Sequence, residues 1–316
     1  MTAGEKIDRK TASSASSGSR ALDELVDYLR GRHGSAVNAI LYYGSCLRAG
    51  DPFDGIVDVY LVVDNYRSVY AGRLQALANR LLPPNVFYKE LPVENRTLRV
   101  KYSVLSTGDL RRGVSGRWMQ SYLWGRFSQP VEILWSRDEA VNNDIERCLA
   151  SAAATFIERV LPSVAASGAV TDLWEQGLRL SYATELRGEG TDRARELVAH
   201  GTDHYVSASR AAASLLRYPL TISGSGAAAR YDASLPEASR SIGRLAWFLR
   251  RISGKCLSLA RLLKALFTFE GGLDYAAWKL GRHSGQSIEI PDRVRQHPLI
   301  FVWPLLWKLY RRGVIR

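Results

Sequence analysis

The residues best placed to do chemistry lie between Ala39 and Tyr66, where a tight turn precedes a strand-borne acid. One apolar run, Ala39 to Tyr42, stops at Gly44-Ser45. A second, Ile56 to Val63, carries Asp58 inside it. A carboxylate within a β-branched run is costly unless it is paired. Asp58 therefore stands at a sheet edge in water, forms a structural pair, or faces a metal ion at the mouth of a sheet. A Gly-Ser turn after a strand offers backbone N–H groups and a hydroxyl, which suit phosphate oxygens. Asp51, Asp54 and Asp64 are the other acids nearby. Strict alternation puts Asp64 on the same face of a regular strand as Asp58. Asp64 is then either a second metal ligand or a strand-end cap.

Cations follow further along. Lys101 sits beside Tyr102 in the alternating run 98–106. A strand lysine either snorkels to solvent or meets an anion. Arg126 follows Gly125 in the aromatic segment 118–134. An arginine can grip two phosphate oxygens at once, whereas a lysine acts as a mobile point charge. Each is equally at home in a surface ion pair. Turn plus strand-borne acid is the sequence pattern of the nucleotidyltransferase fold, with Gly-Ser on a triphosphate and Asp on the metal. Many such proteins carry two acids one residue apart on this strand. Here Tyr60 takes the second place.

These residues need elements to hold them. Residues 1–20 are polar and Ser-rich and read as a disordered tail. Helical spacing over 21–33 predicts an amphipathic helix entering the first strand, and the same period recurs over 66–82 before Pro83-Pro84. Strands are expected over 98–106 and from Val131 to Leu134. After Asp138 the pattern turns helical: 139–166, 170–187, 192–217, and 237–270 with a break at Gly254. The Gly/Ser/Ala stretch 222–229 reads as a loop or mobile link, and 273–282 as a further helix. The expected organisation is an α/β nucleotidyltransferase-like domain over 21–138 and a mainly α-helical domain over 139–290. A basic, aromatic, membrane-facing segment, 291–316, ends the chain.

The 316 residues, 46% of them hydrophobic, suffice for a sizeable core. Three scattered cysteines make neither a disulfide framework nor a zinc site. A net charge of +12 favours polyanions: nucleic acid, nucleotides or an anionic membrane face. Residues 1–20 lack the apolar core of a signal peptide, and no apolar run reaches spanning length. Phe301, Trp303, Leu305, Leu306, Trp307 and Tyr310 interleave with Lys308, Arg311, Arg312 and Arg316. That mixture fits an interfacial anchor on anionic lipid, or aromatics packed on the protein body.

Taken in order, these segments resemble the mitochondrial-type CDP-diacylglycerol synthases and their bacterial relatives. These are the phosphatidate cytidylyltransferases of the mitochondrial translocator assembly and maintenance family. Tyr43-Gly44-Ser45 fits the family's turn, and Asp58 with Asp64 fits its strand, so Tyr60 does not imply a dead site. Lys101-Tyr102 with Val104 and Ser106 fits a further strand, although Ser103 replaces a glycine. Tyr122, Gly125-Arg126 and Pro130-Val131 fit the next segment. Leu180-Ser181-Tyr182 with Glu185 and Arg187, then Lys264 with Phe267-Thr268, fit the helical part.

The resemblance implies Mg²⁺-dependent transfer of CMP from CTP to phosphatidic acid, giving CDP-diacylglycerol and pyrophosphate in phospholipid biosynthesis. By that likeness Asp58 holds the metal, with Asp64 a second ligand or a cap. Gly44 and Ser45 cradle phosphates, and Lys101 and Arg126 neutralise them. Tyr122 stacks on cytosine or packs in the core. Glu185 and Arg187 contribute from the second domain or form a structural salt bridge. Lys264 meets the lipid phosphate or lies on a solvated helix face. The implied location is peripheral, on the cytoplasmic face of a bacterial inner membrane or the matrix side of the mitochondrial one. Two rival readings are a nucleotidyltransferase acting on RNA or a small acceptor, and an inactive membrane-binding module; nucleic acid is the less favoured partner.

Overall fold

Alternating apolar residues build the central sheet. The computed structural model describes residues 3–185, 191–268 and 290–296. Val37–Tyr43 forms β1, Val57–Val63 β2, Asn85–Val93 β3, Arg96–Ser106 β4 and Val131–Ser136 β5. Their order is β3-β4-β2-β1-β5, with β2 and β4 parallel and the other pairs antiparallel. β3 is absent from the expectations above. Its Lys89, Glu90 and Pro92 weaken a strand pattern, and proline is tolerated because β3 is the sheet edge.

The alternation divides the sheet cleanly. Ile40, Val57, Val59, Leu61, Val100, Tyr102 and Val104 face the helix α1, Ala3–His33, through its Ala21, Leu25 and Leu29. The segment 1–20, expected to be a disordered tail, is helical from Ala3 onward. Extending an existing helix costs far less than nucleating one. Leu41, Tyr60, Val62 and Leu105 face the opposite layer. That layer contains α4 (Thr107–Val114), α5 (Ser121–Phe127), α6 (Glu139–Val160) and α7 (Val170–Tyr182). Trp124, Phe156 and Trp174 are buried there, each contributing ~1.5–3 kcal/mol by leaving water. Sheet and helices share this core across residue 138. The architecture is an α/β sheet unit followed by a mainly helical region.

The earlier elements are α2 (Ser45–Ala49) and α3 (Arg73–Leu81). The later ones are α8 (Thr191–His200), α9 (Thr202–Ala213) and α10 (Glu237–Thr268). The single helix expected over 192–217 is thus two, parted at Gly201. The expected link 222–229 belongs to a hairpin: β7 (Leu220–Ser223) and β8 (Arg230–Ala233) pair antiparallel, with β6 (Ser167–Ala169) on the far side of β8. Gly224 and Gly226 supply the positive φ angles of its turn, +72° and +52°. The expected break at Gly254 does not occur. A Cβ there would meet Thr184 O at 2.5 Å, so the glycine serves close approach of α10 rather than a bend. Among the described residues no helix is long and apolar enough to cross a membrane. The expected helix 273–282 lies outside the described residues, as does all of 291–316 beyond Gln296.

Candidate active site

The turn and the acid arrive at the same end of the sheet. Tyr43, the last residue of β1, pairs across with Asp58 of β2. The next residue, Gly44, has φ +99°, a region side chains rarely adopt. A Cβ on Gly44 would stand 3.1 Å from Asp58 Oδ2 and 3.3 Å from Asp58 Cβ. The bend thus lies directly on the carboxylate, and Ser45 opens α2 immediately after it. Gly44→Ala is expected to cost ~1–3 kcal/mol through backbone strain and the displaced carboxylate, readable as a lowered midpoint in thermal denaturation.

β4 supplies the cation. Lys101 is in register with Asp58 on the parallel strand, and its Nζ is ion-paired with Asp58 Oδ1. The carboxylate is only 20% exposed. Oδ1 nevertheless has no hydrogen bond of ordinary geometry. Asp58 is therefore a half-buried acid with one cation beside it and acceptor capacity to spare.

Arg126 comes from α5 and points at the same end of the sheet. Its Nη1 donates to Tyr60 Oη and Tyr122 Oη, each at 3.2 Å, and its Nη2 lies 3.6 Å from Glu185 Oε1. Its guanidinium also lies 5.7 Å from the Tyr43 ring centre. Close packing of α5 on α7 makes this possible. A Cβ at Gly125 would collide with Ser181 Oγ, and Ser121 Oγ meets Thr184 Oγ1 at 2.9 Å. Burial works against the Arg126 charge, but the facing oxygens of Tyr60, Tyr122, Tyr43 and Glu185 outweigh it and hold the proton firmly. Burial, reinforced by Asp58, pushes the Tyr43 phenol up to about 12. The place of a second strand acid is thus filled by Tyr60, a fully buried phenol that accepts from Arg126.

Other expected residues stand differently. Tyr122 carries two guanidinium groups over its ring, Arg126 at 4.6 Å and Arg261 at 4.3 Å, so a stacking base has to displace one of them. Lys264 is not on a solvated face. Its Nζ donates to Leu82 O at 2.5 Å and Pro84 O at 2.7 Å, while Arg261 Nε donates to Pro83 O at 3.1 Å. α10 thereby clamps the turn between α3 and β3. Asp64 lies just past the other end of β2, ~20 Å along the strand from Asp58 at ~3.3 Å per residue. It accepts from Asn38 Nδ2 at 2.8 Å and pairs with Arg137 at 3.3 Å. The strand-end reading of Asp64 is the one this geometry supports, and the structure does not bring it to Asp58. Arg187 lies outside the described residues.

Burial, with Arg261 nearby, lowers the Lys264 ammonium to about 7. Its folded pKa thus lies below the free lysine value, so between about pH 7 and 10.5 the unfolded chain binds the extra proton. Stability is then expected to rise with pH across that window, with the full penalty present below it. Thermal melts across the window should show this rise in the wild-type chain and a flattened curve in Lys264→Met.

Among the described residues no three His, Cys, Asp or Glu side chains cluster as a metal cage. One carboxylate with open acceptor capacity fits a hard cation that takes its remaining ligands from phosphate and water. Arg261 escaped the sequence reading, although it stands three residues before Lys264 and so on the same helix face. Arg48, Arg193 and His200 also escaped it; with Ser45 they line a cavity of about 180 Å³ beside the turn. Their separation in sequence left no local signal.

The family model described as mitochondrial phosphatidate cytidylyltransferase matches residues 65–208. That span includes Lys101, Tyr122, Arg126 and Glu185 and begins after Asp58. No curated protein matches the chain. Among solved structures, a nucleotidyltransferase-like protein from Exiguobacterium sibiricum is 12% identical. That likeness covers 92% of this chain and 90% of that one, at a TM-score of 0.23, which adds nothing to the account of the site. Motifs spread over the whole chain and the family match agree: over residues 65–208 the chain is similar to the mitochondrial phosphatidate cytidylyltransferases.

Proposed function

We propose that the protein transfers CMP from CTP to phosphatidic acid, releasing pyrophosphate and forming CDP-diacylglycerol. The observation that carries this reading is the closeness of Asp58 to the Gly44 bend, beside Lys101, in a chain that matches the mitochondrial phosphatidate cytidylyltransferase model over 65–208. In the reaction a lipid phosphate oxygen forms a bond to the α-phosphorus of CTP, and the bond from that phosphorus to the β-bridging oxygen breaks. No covalent step on the protein is required; positioning and neutralised charge suffice. Asp58 would hold a Mg²⁺ ion, which when bound neutralises negative charge on the phosphates. Gly44 and Ser45 bring N–H and hydroxyl donors to the triphosphate. Lys101 exchanges part of its ion pair with Asp58 for phosphate oxygens. Arg126, held rigidly by two phenols and Glu185, offers its remaining N–H groups as a fixed fork. Membrane association is peripheral in this reading.

The test is incubation with α-labelled CTP, Mg²⁺ and phosphatidic acid vesicles. Label is expected in CDP-diacylglycerol. Label in added RNA, with none in lipid, would overturn the assignment. In the same assay Asp64→Asn is expected to stay within about twofold of wild type, because Asp64 stands at the opposite end of its strand.

A further inference from the structure

α3 is built the wrong way round for a core helix. Leu74, Leu77 and Leu81 recur at i, i+3 and i+7, the spacing that ordinarily marks the buried face. Here they are 81%, 50% and 71% exposed. The face turned to the sheet carries Ala76 and Asn79, both buried. Asn79 Nδ2 donates to Val104 O at 3.1 Å and to Tyr70 Oη at 3.3 Å. The helix is therefore anchored by a polar residue and holds its leucines out in water.

A crevice of about 820 Å³ adjoins this ridge at the carboxyl ends of β2 and β4. Leu77 lines it together with Arg67, Arg73, Arg80 and Arg112. The acids in its wall are engaged: Asp64 with Asn38 and Arg137, Asp109 with Tyr66 and Arg112. Arg67, Arg73 and Arg80 have no ion pair among the described residues, so the crevice presents net positive charge. An apolar ridge flanked by arginines matches a bilayer surface, with leucines at the acyl boundary and guanidiniums at the phosphates. A nucleic acid would satisfy the arginines and leave the leucines in water.

We propose that α3 and the arginine crevice beside it form a docking surface for an anionic phospholipid bilayer. The surface lies at the opposite end of β2 from Asp58 and is linked to the candidate site through α10: α3 runs into Pro83-Pro84, whose carbonyls are held by Arg261 and Lys264, and Arg261 lies over Tyr122. The inference deepens the proposed lipid-directed reaction, yet docking can be read without any turnover.

The experiment is co-sedimentation of the full chain, without CTP or Mg²⁺, with phosphatidylcholine vesicles with and without phosphatidylglycerol. Phosphatidylglycerol supplies the anionic surface without supplying the proposed acceptor. Wild type is expected to sediment with the anionic vesicles and to be released by salt. Leu74→Gln/Leu77→Gln/Leu81→Gln and Arg67→Gln/Arg73→Gln/Arg80→Gln are each expected to lose binding about tenfold or more. A comparison variant on α10, Leu245→Gln/Phe248→Gln, alters residues of similar exposure and is expected to keep it. Unchanged melting temperatures check folding. Wild-type binding in both the leucine and the arginine variant, or no binding by wild type, overturns the proposal. Transfer to a short-chain, water-soluble phosphatidic acid is expected to be unaffected by the leucine changes. Absent transfer with intact docking would remove the reaction and leave the surface standing.

Discussion

Asp58→Asn is expected to lower CMP transfer by about 10³-fold, since a bound metal supplies several kcal/mol of charge stabilisation. The substitution keeps the shape that packs against Gly44 and removes only the charge. The chain should therefore fold. Lys101, only partly exposed, loses its ion pair with Asp58, so a modest fall in melting temperature accompanies the loss. Steady-state rates with saturating CTP, beside thermal melts, separate the two effects. Asp58→Asn retaining a tenth or so of wild-type activity would remove the acid from the chemistry.

Arg126 carries the second large effect. Its guanidinium joins Tyr60, Tyr122 and Glu185 across three segments, which a lysine cannot do from one ammonium. Arg126→Lys is expected to reduce kcat/KM about 10²-fold, and Arg126→Ala further, because the fixed fork toward phosphate is lost. Arg126→Ala should also destabilise by ~1–3 kcal/mol, since the Tyr60 hydroxyl and Glu185 are left without their donor. Glu185→Gln tests the coupling. If Glu185 acts by orienting Arg126, the double variant Arg126→Lys/Glu185→Gln should lose less than the sum of the single losses. Strict additivity would show that the two residues act separately.

Much of the site was legible because it rests on local rules. A glycine-serine bend and an acid inside an apolar run announce themselves in a few residues. Antiparallel pairing of Tyr43 with Asp58 then brings them together. Lys101 was legible as a charge out of place in a strand, though its register with Asp58 comes from the parallel pairing of β2 with β4. Asp64 misled because alternation fixes which face a side chain takes and says nothing about distance along the strand. The opposite end of the strand is the outcome.

What escaped depends on long-range packing. The Arg126 network needs α5 to meet α7 at Gly125, and nothing near Arg126 in sequence names Tyr60 or Glu185. Gly254 read as a break because an isolated glycine weakens a helix; its true constraint is the backbone of Thr184. The hairpin from Leu220 to Ala233 was hidden because its strands are only four residues each and the Ser, Gly and Ala of the turn between them carry little β signal. α3 shows the limit of periodicity most plainly. The leucine spacing gives a helix and an apolar face, but only the Asn79 contacts decide which face looks inward.

The most direct measurement is the affinity for CTP with and without Mg²⁺, by calorimetric titration of wild type and Asp58→Asn, with no lipid present. Wild type is expected to bind CTP much more tightly when Mg²⁺ is added, and Asp58→Asn to lose that dependence while remaining folded. Equal, Mg²⁺-strengthened binding by both proteins would contradict the assignment of Asp58 as the acid that holds metal and triphosphate at the Gly-Ser bend.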